Sequence, residues 1–142
     1  MYYPRSSFKL KYDYPEVIQE RSSELSNREK AWLNRAMNLA KQSQQRHKHA
    51  CLIVLGGAIQ GYGVNSYRNI PGIVHELDAL GVHAEAKALK VTSRTEGSTA
   101  YIARVNEAGE ARQSRPCPTC MDALRAAGVK KIVYTVNGSE YL

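Results

Sequence analysis

Two short stretches constrain this 142-residue chain more than anything else in it: "HAEAKALK", beginning at His83, and "RPCPTCMDAL", beginning at Arg115. Each reads as the opening of a helix. His83 stands two residues before Glu85 at the first helix mouth, and Cys117 and Cys120 stand at i and i+3 at the second. Sulfurs three residues apart on one helical turn face the same side. The partial positive charge of a helix N-terminus also favours their thiolate form. Imidazole and thiolate together make a zinc donor set, and three protein ligands leave one of four positions for water. A fold that uses these residues has to bring two helix N-termini together.

The intervening sequence supplies an α/β framework. "SNRE" at 26–29 has the S-x-x-E form of a capping box, and Trp32, Ala36, Leu39, Ala40 and Ser43 follow at helical spacing. That pattern predicts an amphipathic helix over 27–45. "ACLIVLGGAIQGYGV" then places two β-rich runs around Gly56-Gly57, whose freedom at positive φ suits a two-residue hairpin turn. A loop over 65–82 is expected to hold a short helical turn at 74–80. The helix opened by His83 is expected to run to Val91, followed by a strand over 99–105, a helix over 118–127 closed by Gly128, and a strand over 130–136. The order α-β-β-α-β-α-β makes the last two strands parallel, because a helix separates them. A two- or three-layer α/β sandwich is the expected class.

Residues 1–25 read as an N-terminal arm, and 26–142 as a single domain. Tyr2, Tyr3, Phe8, Tyr12 and Tyr14 interleave with Arg5, Lys9 and Lys11 in the arm. Such an arm packs on the domain or on a partner subunit, or stacks on bases beside phosphates. The N-terminal stretch lacks the continuous apolar core of a secretory signal. No apolar run approaches the roughly 20 residues needed to span a bilayer. A cytoplasmic protein without a membrane partner is therefore expected. A net charge of +7 favours anionic partners such as nucleotides or nucleic acid. Three cysteines cannot all pair within one chain, and in a reducing compartment a close Cys-x-x-Cys is more often a metal or redox site than a structural disulfide.

Taken singly, the pieces are ambiguous. A Cys-x-x-Cys can be a thioredoxin-like pair, and a His-x-Glu alone says little. A structural Cys₄ zinc site needs a second cysteine pair, which this chain lacks. Spacing leaves open whether Glu85 is a fourth ligand, but a hard carboxylate suits a thiolate-rich site less well than it suits moving protons of a bound water. The combined order, His-Ala-Glu opening one helix, then a strand, then Pro-Cys-x-x-Cys opening the next, matches the H-x-E…P-C-x-x-C signature of zinc nucleobase deaminases.

On these residues the chain resembles the cytidine deaminase-like superfamily, and within it the deoxycytidylate deaminase-type, phage-like branch. The resemblance spans most of 27–136 and is strongest in "HAEAKAL" and "RPCPTCMDALRAAGVKKIVYT". It implies a mixed central sheet of four or five strands with helices packed on it and Zn²⁺ held between two helix N-termini. It implies His83, Cys117 and Cys120 as metal ligands and Glu85 as the catalytic acid/base. Asn65 in "GYGVNSY" is implied as a contact to sugar or base, Ala84 as a backbone contact to the substrate amide, and assembly as a homo-oligomer. His47, His49 and His75 need no metal role, and Cys51 reads as a small buried hydrophobe.

Arg115 stands where tRNA adenosine and guanine deaminases usually carry an acidic residue, and a guanidinium there favours a phosphate-bearing substrate. Lys87 stands where deoxycytidylate enzymes often have Asn. Three functions are therefore carried forward. The first is hydrolytic deamination of a cytosine nucleotide, dCMP to dUMP and ammonia. The second is cytosine deamination in single-stranded DNA or RNA, and the third is an inactive zinc-stabilised binding module. Retention of Glu85 speaks against the third, since a structural zinc needs no proton carrier.

Overall fold

The computed structural model describes residues 18–65, 83–92 and 94–138. Its elements are β1 (Gln19–Arg21), α1 (Asn27–Ala40), β2 (Lys48–Leu55), β3 (Ala58–Val64), α2 (Ala84–Val91), β4 (Thr99–Val105), β5 (Ala111–Arg112), α3 (Pro118–Ala126) and β6 (Lys131–Tyr134). They form one mixed sheet in the order β1-β6-β4-β2-β3, with β5 pairing the end of β4. The pairs β1–β6 and β4–β6 are parallel, as expected for the last two long strands, and the pairs β2–β3 and β2–β4 are antiparallel.

The sheet therefore has six strands rather than the expected four or five. The two additional strands, of three and two residues, are too short to show an alternating pattern. β1 reads only "QER" and is held by its backbone, Gln19 pairing with Lys131 and Arg21 with Val133. Ile18 and Leu25, on either side of it, are buried. The end of the expected arm thus belongs to the sheet, while the aromatic residues before position 18 lie outside the described residues. So do His75 and the turn expected at 74–80. None of the described helices is long and apolar enough to cross a membrane.

Alternation along the central strands sorts their side chains onto two faces. Cys51, Ile53, Ala100 and Ile102 pack with Ala84, Ala88 and Leu124 beneath α2 and α3. Leu52, Val54, Tyr101 and Ala103 pack with Leu33 and Ala36 beneath α1. The result is three layers. Cys51 is fully buried in the first cluster, as its apolar surroundings predicted.

The Ser26 capping box is present: Glu29 N donates to Ser26 Oγ at 3.1 Å, and Ser26 N donates to Glu29 Oε1 at 2.8 Å. The same carboxylate meets Lys131 Nζ at 3.0 Å and Arg21 Nε at 3.7 Å, which ties α1 to β6 and β1. Burial works to raise the Glu29 pKa, but the Ser26 amide, Lys131 and Arg21 outweigh it, and the group sits below its ordinary value. α1 ends at Ala40, five residues before the expected end. Ser43 Oγ instead accepts from Gln45 N and donates to Asn65 O, so side-chain bonds take the chain out of the helix.

The hairpin turn falls at Gly56-Gly57 with φ of 61° and 77°, as the sequence predicted. Farther along β3, Gly61 and Gly63 serve close approach. A Cβ on Gly63 would lie 2.6 Å from Ala88 N and against the Ala84 carbonyl, so α2 rests on bare backbone at this edge. Gly63→Ala should therefore push α2 outward and cost about 1–3 kcal/mol by overpacking. A thermal unfolding midpoint equal to that of the wild type would show that α2 is not seated this closely.

Candidate active site

A residue at a helix N-cap commonly uses its side chain on the free amides of the first turn. His83 caps α2 and Cys117 caps α3 with extended backbone at both positions, yet neither side chain makes a capping hydrogen bond. The side chains are left for each other. His83 Nδ1 lies 3.3 Å from Cys120 Sγ, and the donor atoms of His83, Cys117 and Cys120 all lie within 4.8 Å of one another. Tetrahedral zinc with bonds of 2.0–2.3 Å sets its ligand atoms roughly 3.5 Å apart. One imidazole and two thiolates at this spacing fit zinc.

The α2 and α3 N-termini meet on one face of the sheet. Pro118, at the first position of α3, has the φ that a helix start requires and no amide to leave unbonded. The approach segment is held by Ser114, whose Oγ donates to Ile102 O at 2.9 Å and accepts from Thr135 N at 2.9 Å. Cys117 and His83 are exposed, while Cys120 is buried at 7%. Burial, with the Glu85 carboxylate and Cys117 nearby, raises the Cys120 thiol pKa, and a bound dication reverses that effect by taking the thiolate.

Glu85 lies two residues, just over half a helical turn, beyond His83 and is 5% exposed. Burial raises its pKa above the ordinary value, against the pull of its own backbone amide and of His83. Burial thus makes this carboxyl a better proton holder than an exposed one, which suits a group that takes up a proton and passes it on.

These residues border a cavity of about 190 Å³. His83, Glu85 and Cys117 line it, as do the three expected substrate contacts, Asn65, Ala84 and Arg115. The Asn65 amide is largely committed within the protein: Nδ2 donates to His47 O at 2.7 Å and to Gln45 Oε1 at 2.8 Å, and Oδ1 accepts from His49 N at 2.9 Å. Arg115, expected to be available to a phosphate, forms a two-pronged pair with Glu20. Its Nε donates to Oε1 at 2.7 Å and its NH2 nitrogen to Oε2 at 3.0 Å. Two of its five N–H donors are so engaged. Glu20 responds with a lowered pKa, chiefly through the Arg115 hydrogen bond.

His49 and Ser114 also line the cavity and were not singled out from sequence. Burial, reinforced by Arg104 and the neighbouring histidines, pushes the His49 pKa down to about 4, so its ring is neutral at physiological pH. The signal for it was period two: residues 49, 51 and 53 share the strand face that lies under the zinc helices.

Residues 26–136 match the model of a family described as the cytidine and deoxycytidylate deaminase zinc-binding region. The chain belongs to that family. It is therefore of the zinc-dependent, deaminase type of hydrolase, and the His83–Cys117–Cys120 cluster is the donor set that type of enzyme requires. Among curated proteins, none matches it. Among solved structures it is similar to the dCMP deaminase of cyanophage S-TIM5. The apo form is 26% identical over 78% of this chain and 85% of that one, with a TM-score of 0.53. The same enzyme in complex with dCMP and dUMP is 23% identical over 75% and 79%, also with a TM-score of 0.53. RibD of Acinetobacter baumannii is 26% identical over 75% of this deaminase-family chain and 27% of its own length, at a TM-score of 0.49.

Proposed function

We propose that this chain hydrolyses the exocyclic amine of a cytosine nucleotide, with dCMP as the substrate and dUMP and ammonia as products. The observation that carries the reading is the cavity in which buried Glu85 sits beside the His83–Cys117–Cys120 cluster, with Arg115 on its rim. The similarity to cyanophage dCMP deaminase supports the nucleotide level.

When bound, zinc lowers the pKa of a water toward neutrality and so supplies the nucleophilic oxygen. His83, Cys117 and Cys120 would hold it. Glu85 would take a proton from the attacking water and pass it to the ring nitrogen next to the amine-bearing carbon. It then delivers the second water proton to the departing amine, so that one C–N bond breaks, one C=O bond forms and ammonia leaves. The Ala84 backbone, at the α2 N-terminus, is close enough to the cavity to bind the pyrimidine amide edge. Asn65 presents its remaining acceptor capacity to the sugar or base.

Arg115 meets the 5′-phosphate with the donors that Glu20 leaves free. Arg115→Ala should raise the Michaelis constant for dCMP about tenfold or more while leaving slow cytidine turnover nearly unchanged, because a nucleoside offers no phosphate. Ammonia release from dCMP, cytidine and a cytosine-containing oligonucleotide decides the matter. If only the oligonucleotide reacts, with affinity falling steeply in salt, then dCMP is the wrong substrate and the strand-directed reading takes its place.

A further inference from the structure

His49 and Asn65 stand side by side where the β2–β3 pair ends, away from its hairpin turn. The His49 amide donates to Asn65 Oδ1 at 2.9 Å, and the His49 carbonyl accepts from the Asn65 amide at 3.1 Å. These bonds fix both residues to one wall of the catalytic cavity. Asn65 Nδ2 uses both of its hydrogens, on Gln45 Oε1 and His47 O. Toward the cavity Asn65 therefore offers only an acceptor, the second lone pair of Oδ1. The Ser114 hydroxyl is committed too, donating to Ile102 O and accepting from Thr135 N, each at 2.9 Å.

One polar side chain on the cavity wall has no part in the chemistry or in the fold's own hydrogen bonds, the His49 imidazole. It is half-buried, and its ring nitrogens make no hydrogen bond with any described residue. Neither nitrogen is sealed in, unlike Gln45 Nε2 nearby, so the ring edge opens to the cavity it lines. Desolvation keeps the ring neutral at physiological pH, with one donor and one acceptor. Residues 49 and 51 share the face under α2 and α3, and Cys51 is within electrostatic reach of Glu85 and Cys120. His49 is displaced from that point by one strand repeat, about 7 Å. In a cytosine nucleotide the sugar leaves the ring from the nitrogen opposite the amine-bearing carbon. With that carbon at Glu85, the sugar points away from the metal donors.

A hydroxyl both donates and accepts, and it fits a wall made of one acceptor, Asn65 Oδ1, and one donor, the His49 ring. The single hydroxyl of dCMP is on the 3′ carbon. We propose that His49 is a specificity-determining residue whose imidazole N–H donates to the 3′-hydroxyl of the bound nucleotide, while that hydroxyl donates to Asn65 Oδ1. The assignment rests on dCMP being the substrate. It also gives a reason for preferring a mononucleotide: inside a strand the 3′ oxygen is esterified and has no hydrogen for Asn65.

The test is ammonia release by the full-length, zinc-loaded protein from dCMP and from its 2′,3′-dideoxy analogue, which keeps base and phosphate and lacks the hydroxyl. The wild type should lose about tenfold or more in kcat/KM on the analogue, because a site built around a hydroxyl is left with unpaired groups. His49→Phe keeps a ring of similar size without the N–H. It should lose about tenfold on dCMP and little on the analogue, so that the gap between the two closes. His49→Gln, which restores a donor, should recover part of the discrimination. Equal turnover of both substrates by the wild type overturns the contact. So does an equal loss on both in His49→Phe, the mark of a merely structural role, or a His49→Gln that discriminates no better than His49→Phe. Release from an internal cytosine of an oligonucleotide, with none from dCMP, overturns the nucleotide reading and this contact together.

Discussion

Glu85→Gln should retain zinc and fold while losing turnover by about 10²–10⁴-fold or more, the scale on which general acid–base catalysis contributes. The amide matches the carboxyl in size, and at a position 5% exposed it fills the same space. It also resembles the protonated acid that burial already favours at this site, so stability should change little. What it cannot do is accept a proton and return it. The reaction asks for that twice, once at the ring nitrogen and once at the leaving amine. Metal analysis, thermal unfolding and ammonia release on one preparation give the three readings together. A folded, zinc-loaded variant with near-normal turnover removes Glu85 from the proton-transfer role. A variant that loses zinc shows that Glu85 is a ligand instead, the alternative that its spacing from His83 leaves open.

The residues in this argument were legible because their relations are local. His83 and Glu85 share one helix start and Cys117 and Cys120 share another, so helical phase alone fixes which way each group points. β4, with seven residues and an apolar run over 100–103, was legible over its whole length, 99–105. Relations fixed by strand pairing were not. His49 reaches the cavity because β2 is in register with β3 and β4, and Asn65 is locked through Gln45 and His47 on a neighbouring connection. Glu20 lies 95 residues from Arg115, and nothing in either local sequence links them. β1 escaped notice for the same reason: a polar "QER" becomes a strand only because the β6 backbone offers it a parallel partner. Pattern reading thus reaches chemistry carried within one turn of helix, and falls short where a long-range contact decides a side chain's surroundings.

Cys117→Ser separates metal binding from fold stability with the largest expected contrast. Cys117 is the N-cap of α3, is exposed, and makes no capping hydrogen bond of its own. Serine is a strong N-cap residue, and a hydroxyl accepting from the first-turn amides is worth about 1 kcal/mol. The metal-free variant should therefore be as stable as the metal-free wild type, or slightly more so. Zinc should be lost even so, because two protein donors with a neutral hydroxyl replacing a thiolate make a poor site for a soft-ligand dication. Deamination should fall to background with it. Cys120→Ser should lose zinc as well but gain no capping bond, since Cys120 sits inside the first turn, buried and facing His83 Nδ1. Chelation supplies the control: it should lower the thermal midpoint of the wild type, because ligand binding to the folded state adds stability by mass action, and should leave Cys117→Ser unmoved. Full zinc occupancy in Cys117→Ser would mean that the metal is held by a different set of side chains.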